Sequence, residues 1–168
     1  VYQLKRLVNL TKPTINLLKS LEKKHRLSLN IPMPNIKVNK MNNRQIVKAY
    51  GDWLGETDWD YFSTFTYRYD VKKRQNERLM SGLGENLKTT GLDHHIFYVT
   101  EYTNYNYNTH NHMLIKGEGV NVAVESYLRA KNLLYNNVVH YPYEKTKGAN
   151  YYVTKFIGSD KIEWGVIL

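Results

Sequence analysis

The chain predicts an α+β fold: a ferredoxin-like/RRM-like sandwich with a central five-stranded antiparallel sheet, flanking helices and an N-terminal helical segment. Three observations predict it. From residue 61 onward, runs rich in aromatic and β-branched residues alternate with stretches of helical period, in the order β-α-β-β-α-β-α-β. That order lays helices on one face of an antiparallel sheet. Two of the strand runs are separated only by the short polar stretch 103–108 and so pair as a hairpin. The charge pattern changes at about residue 56, dividing a basic helical segment, 1–56, from the sandwich, 57–168.

Taken in order, Thr11 caps a first helix with Pro13 in its first turn, and Ile15, Leu18 and Leu21 recur on one face. Ile31-Pro32-Met33-Pro34 cannot continue a helix and reads as a connector. Residues 43–54 form a second amphipathic helix with an apolar stripe of Ile46, Val47, Tyr50, Trp53 and Leu54, stopped by Gly55. Residues 61–67 (YFSTFTY) read as a strand. Residues 72–88 read as a helix with Met80, Leu83 and Leu87 inward, against the low helix propensity of Gly82 and Gly84. Residues 95–102 and 109–116 are the hairpin strands. Asn121 caps a helix to about Leu134, 138–143 is a short strand, 149–157 a helix, and 163–168 (EWGVIL) a final strand. The two basic N-terminal helices either contact a partner or pack on the main domain as cover.

Charge narrows the partners. The net charge is +9, and residues 1–56 hold nearly all of it, with 11 Lys/Arg against 3 Asp/Glu. Such a segment suits phosphate backbones, or is simply a solvated surface. Fifteen tyrosines suit stacking on unpaired bases, although Asn- and Tyr-rich usage also follows from an AT-rich genome. With no cysteine, disulfides and thiolate metal sites are excluded. Lys5, Arg6, Lys12 and Pro13 interrupt any signal peptide, and no apolar run approaches a membrane span, so the expectation is a soluble intracellular protein without a membrane partner.

The chemistry concentrates in two places. His110 and His112 are two apart, so on a strand both imidazoles project from one face. Glu101 ends the facing hairpin strand, sharing a side with His95, Phe97 and Val99. One carboxylate and two imidazoles converging on neighbouring strands make a divalent-metal site with open positions. Left without a cation, such groups are costly to bury. An isolated pair of histidines at this spacing more often binds nothing. The second place is Tyr152, with Lys155 one helical turn on. A phenol with a pKa of about 10 attacks a phosphate only if that phosphate is polarised and held by cations. The plain alternative is an aromatic core residue beside a snorkelling lysine. Tyr151 is a rival nucleophile, pointing about 100° away around the helix. The hydroxyls of Thr64 and Thr66 line the same sheet face as the histidines.

Three blocks in this order resemble the HUH endonucleases, specifically the rolling-circle replication initiator (Rep) proteins of small plasmids, phages and single-stranded DNA viruses. Phe62-Ser63-Thr64-Phe65-Thr66 looks like their FxTLT strand, and His110-Asn111-His112 like their paired metal-binding histidines. Tyr152-Val153-Thr154-Lys155-Phe156 looks like their YxxK motif. Glu101 stands where many Rep proteins place a third ligand. The resemblance covers about residues 59–168. It departs from the family at Asn111, where a hydrophobic residue is usual, and at Phe156, where two-tyrosine members carry a second nucleophile. The resemblance implies a site-specific single-stranded DNA endonuclease and strand transferase that starts rolling-circle replication. Mn²⁺ or Mg²⁺ would be held by Glu101, His110 and His112. Tyr152 would form a 5′-phosphotyrosine link, with Lys155 neutralising the phosphate. The implied partners are a stem-loop replication origin, the host replication machinery and, because this sequence has no phosphate-binding loop, a helicase that is either a separate protein or an attached domain outside this sequence. With a single tyrosine, two-step transfer needs either a homodimer or a second visit to the same residue. The implied location is the cytoplasm of a bacterial or archaeal host, or the nucleus of a eukaryotic one. A transposase or relaxase shares this chemistry, and a non-catalytic RRM-like binding module shares the fold, although no RNP1 pattern is present.

Overall fold

The computed structural model describes residues 7–9, 37–39, 42–102, 109–159 and 161–168. The expected first helix, the proline connector and the hairpin turn lie outside these residues. Two short strands, β1 (Leu7–Asn9) and β2 (Lys37–Asn39), pair in parallel within the segment expected to be helical. The next element is helix α1 (Asn43–Leu54), which begins at a reciprocal capping box between Asn42 and Gln45 and ends at Gly55.

The main sheet holds five strands, all antiparallel: β3 (Tyr61–Thr66), β4 (His95–Glu101), β5 (His110–Lys116), β6 (Val139–Pro142) and β7 (Ile162–Ile167). Their spatial order is β6-β3-β5-β4-β7. Helix α2 (Lys73–Thr90) connects β3 to β4, and helix α3 (Val120–Ala130) connects β5 to β6. The two β-α-β halves therefore interleave as in a ferredoxin-like sandwich, with β7 added beside β4.

Alternation along the strands divides the core in two. Phe65, Ile96, Tyr98, Met113 and Ile115 pack against Met80, Leu83 and Leu87 of α2 and Val120, Val124 and Leu128 of α3. Phe97, Val99 and Leu114, on the other face, pack against Ile46, Tyr50 and Leu54 of α1 and against Val153 and Ile157. Helices thus cover both faces rather than one. Full burial of each such aliphatic side chain contributes about 2 kcal/mol. The two glycines of α2 lie at close approaches: a Cβ on Gly82 would meet the Tyr127 hydroxyl, and one on Gly84 would press on Ile167.

Two boundaries differ from the sequence reading. Helix α3 starts after Gly119, in the left-handed region at φ 73°, with no side-chain cap from Asn121. It ends before Leu134, because Arg68 N–H bonds to the Leu133 carbonyl and Tyr135 N–H to the Thr66 carbonyl, drawing this segment onto the end of β3. The expected helix 149–157 is shorter as well. Helix α4 (Ala149–Tyr152) is one turn, followed by i→i−3 turns through Ile157. Among the described residues, no helix is long and apolar enough to cross a membrane.

Candidate active site

Register brings the singled-out residues together. Glu101 lies directly opposite His110, and Thr66 lies opposite His110 from the other side. His112 is opposite Thr64 and Val99. Opposed residues of an antiparallel pair share a face, so the carboxylate, both imidazoles and both threonine hydroxyls project together from neighbouring strands. That face is the one covered by α1 and α4.

The contacts within this group are specific. His112 Nε2 is 3.4 Å from Glu101 Oε1, and both side chains are largely buried. Lys155 Nζ donates to the same Glu101 oxygen at 2.9 Å. Thr66 Oγ1 and His110 Nδ1 share a hydrogen bond of 2.8 Å. His112 Nδ1 is buried and has no hydrogen-bond partner among the described residues. The Tyr152 ring meets the His112 ring edge-on at 5.2 Å and the Phe62 ring at 5.8 Å. Lys155 Nζ is 4.0 Å from the centre of the Tyr152 ring, a cation–π contact.

Electrostatics follow from this packing. Burial works to raise the Glu101 pKa, but hydrogen bonds from His112 and Lys155 and the lysine charge outweigh it, and the carboxyl titrates below its ordinary value. Burial works to lower the Lys155 pKa, but bonds to Glu101 and Tyr152 outweigh that, and it titrates above its ordinary value. Lys155 is therefore a cation at neutral pH. His110 is shifted down, first by burial and then by the neighbouring His112 and Lys155. Its imidazole is neutral at pH 7, the form that ligates metals.

The donor set fits a divalent cation of borderline softness, with one carboxylate and two imidazoles on one face. With His110 Nδ1 engaged by Thr66, its Nε2 is the nitrogen left to ligate. The arrangement is not a finished cage: among the described residues, no three His, Cys, Asp or Glu side chains are placed together to hold a metal. Glu101 is engaged by Lys155 and His112 instead.

The two tyrosines part company. Tyr151 O–H donates to Asp52 Oδ1 of α1 at 2.6 Å, turning away from the histidines. Its segment is docked on α1 by two more bonds, from Asn150 Nδ2 to the Gly51 carbonyl at 2.8 Å and from Thr154 Oγ1 to the Val47 carbonyl at 3.2 Å. Gly51 has to be glycine here, because a Cβ would collide with the Tyr151 ring. No spacing or motif in the chain marks Gly51, Asp52 or Asn150, and the FxTLT-like block contains Phe62 without indicating its contact with Tyr152. The sequence places Thr66 only as a hydroxyl on the histidine face, without its bond to His110.

Asn111, between the histidines, is fully buried on the opposite face, where its Nδ2 donates to Thr100 Oγ1 at 2.8 Å. The same side holds a polar network in which Asn76 and Tyr102 both donate to Glu163.

Comparison of the chain with protein-family models, with curated proteins and with solved structures gave no match.

Proposed function

We propose that this chain is a site-specific single-stranded DNA endonuclease and strand transferase that initiates rolling-circle replication. The observation that carries this reading is the convergence of Tyr152, Lys155, Glu101 and His112, with Lys155 bridging the carboxylate and the phenol ring. The Tyr152 oxygen attacks the scissile phosphorus, the bond from phosphorus to the 3′ oxygen breaks, and a 5′-phosphotyrosine remains. The phenol proton leaves to solvent, and the departing 3′ oxygen takes one up. Lys155, a cation at neutral pH, offsets the charge of the attacked phosphate. Glu101 and His112 fix the lysine and the floor under Tyr152, and Thr66 holds the His110 ring. A Mn²⁺ or Mg²⁺ ion held by Glu101, His110 and His112 would supply polarisation of the phosphate when bound. Reversal of the attack by a free 3′-hydroxyl rejoins the ends. The natural substrate in this reading is the single-stranded part of a stem-loop origin, and a helicase, separate or attached, opens the duplex.

The test is a denaturing gel for a boiling-resistant protein–DNA adduct, using a diverse pool of labelled single-stranded DNA and Mn²⁺. The adduct is expected with wild type and Tyr151→Phe, and lost with chelator, His112→Ala and Tyr152→Phe. An adduct surviving Tyr152→Phe would overturn the assignment of the nucleophile.

A second reading, a non-catalytic module for single-stranded nucleic acid, is favoured by the half-exposed rings of Tyr141 on the sheet edge and of Tyr152. It requires tight, chelator-insensitive binding and no adduct.

A further inference from the structure

The sheet face that carries Tyr152 is covered unevenly. Over β4 and β7, Phe97, Val99 and Ile162 are buried beneath α1. Over β3 and the edge strand β6, the same face stays open. Val139 and Tyr141, paired with Thr64 and Phe62, are 42% and 53% exposed and belong to neither core.

This open half is aromatic and ordered. Tyr141, Phe62 and His112 come from the adjacent strands β6, β3 and β5. Their rings are nearly parallel, with interplanar angles of 19° and 16° and centroid separations of 6.3 and 5.9 Å. At the inner end, Tyr152 and Phe156 are also half exposed, and Lys155 Nζ lies over both rings. An aromatic row that opens to solvent at its Tyr141 end marks a ligand surface. Flat rings beside the Lys155 cation match a flat ligand carrying negative charge, such as a base with its phosphate. A helical or extended peptide would instead call for a groove with alternating pockets.

We propose that Tyr141 and Phe62 form a stacking platform for unpaired bases of the DNA strand whose phosphate lies at Tyr152, leading that strand off the sheet over edge strand β6. The proposal rests on the nuclease reading for its starting point. Its own content is the direction of the strand and the residue, Tyr141, that holds it. Because every base presents a π-face, the platform contributes affinity with little sequence preference.

The experiment uses the full chain in chelator with short single-stranded oligonucleotides in which one 2-aminopurine is moved stepwise along the sequence. Wild type is expected to quench the probe at one or two positions. Tyr141→Ala should abolish that quenching and weaken binding about ten-fold, whereas Tyr141→Trp should retain both. Because no charge is removed, the slope of log affinity against log salt should not change. Absence of quenching by wild type at every position, or wild-type affinity and quenching in Tyr141→Ala, would overturn the platform. Adduct formation with Mn²⁺, run in parallel on a diverse pool of single-stranded DNA, keeps the two ideas apart. An adduct without Tyr141-dependent stacking overturns the platform alone. Tyr141-dependent stacking without an adduct upholds the platform and overturns the nuclease reading.

Discussion

Lys155 Nζ lies 2.9 Å from Glu101 Oε1 while standing 4.0 Å from the centre of the Tyr152 ring, so one cation serves a carboxylate and a phenol at once. The carboxylate it holds is also a metal-ligand candidate, and cation and metal compete for the same oxygen. Lys155→Met is therefore expected to bind Mn²⁺ more tightly than wild type in calorimetric titration without DNA, while forming the covalent adduct more slowly. Loss of the half-buried pair should cost about 1 kcal/mol, a fall in Tm of about 2–4 °C. Unchanged Mn²⁺ affinity would show that Glu101 is not a ligand.

The docking of α1 on the Tyr152 segment makes a second prediction. A side chain at position 51 would push into the Tyr151 ring. Gly51→Ala is expected to cost about 1–3 kcal/mol by overpacking and to slow adduct formation by moving the segment that carries Tyr152. The double variant Gly51→Ala/Tyr151→Ala, which empties the space, should recover part of the adduct rate. A double variant no faster than Gly51→Ala would count against α1 positioning Tyr152. Urea melts of both proteins separate misplacement from unfolding.

The bond between Thr66 and His110 carries a third. Holding Nδ1 fixes the ring and leaves Nε2 for a ligand. Thr66→Val, equal in shape, should weaken Mn²⁺ binding about ten-fold, whereas Thr66→Ser should preserve it. Equal affinities for all three proteins, measured by titration without DNA, would remove Thr66 from the site.

How much of this was legible in the sequence depends on the range of the interaction. Strand period and the apolar spacing of α2 are local signals, so β3, β4, β5 and the burial of Met80, Leu83 and Leu87 could be read directly. Two-residue spacing placed His110 and His112 on one face, and hairpin pairing added Glu101. The docking of α1 could not be read, since Asp52 meets Tyr151 and Gly51 meets Asn150 across 99 residues of chain. The helix expected over 149–157 breaks after one turn because Val153 and Ile157 pack into the second core while Asn150 and Thr154 bond to the α1 backbone. Tertiary contacts there override local periodicity. The same contacts keep Lys155 above Tyr152 without the full helix that sequence reasoning invoked.

His140 supplies the last prediction, on stability against pH. Its Nδ1 is 2.7 Å from Ser63 Oγ, its Nε2 is 3.6 Å from Glu125 Oε2, and burial, partly opposed by Glu125, lowers its pKa below 6.5. Above 6.5, folded and unfolded chains both hold the ring neutral. As pH falls below that value, the unfolded chain takes up the proton first, so stability falls until the folded pKa is also passed. His110, lowered mainly by burial, acts in the same direction. The carboxylates held low in the folded state, Glu101 and Asp52, add their losses only below their ordinary values of 4.5 and 3.8. Among the described residues, the decline between 6.5 and 4.5 therefore belongs to His140 and His110. His140→Asn keeps an acceptor for Ser63 and removes the titration. Its urea midpoint should fall less than that of wild type between pH 6.5 and about pH 5. Parallel declines in the two proteins would assign the proton uptake to another group.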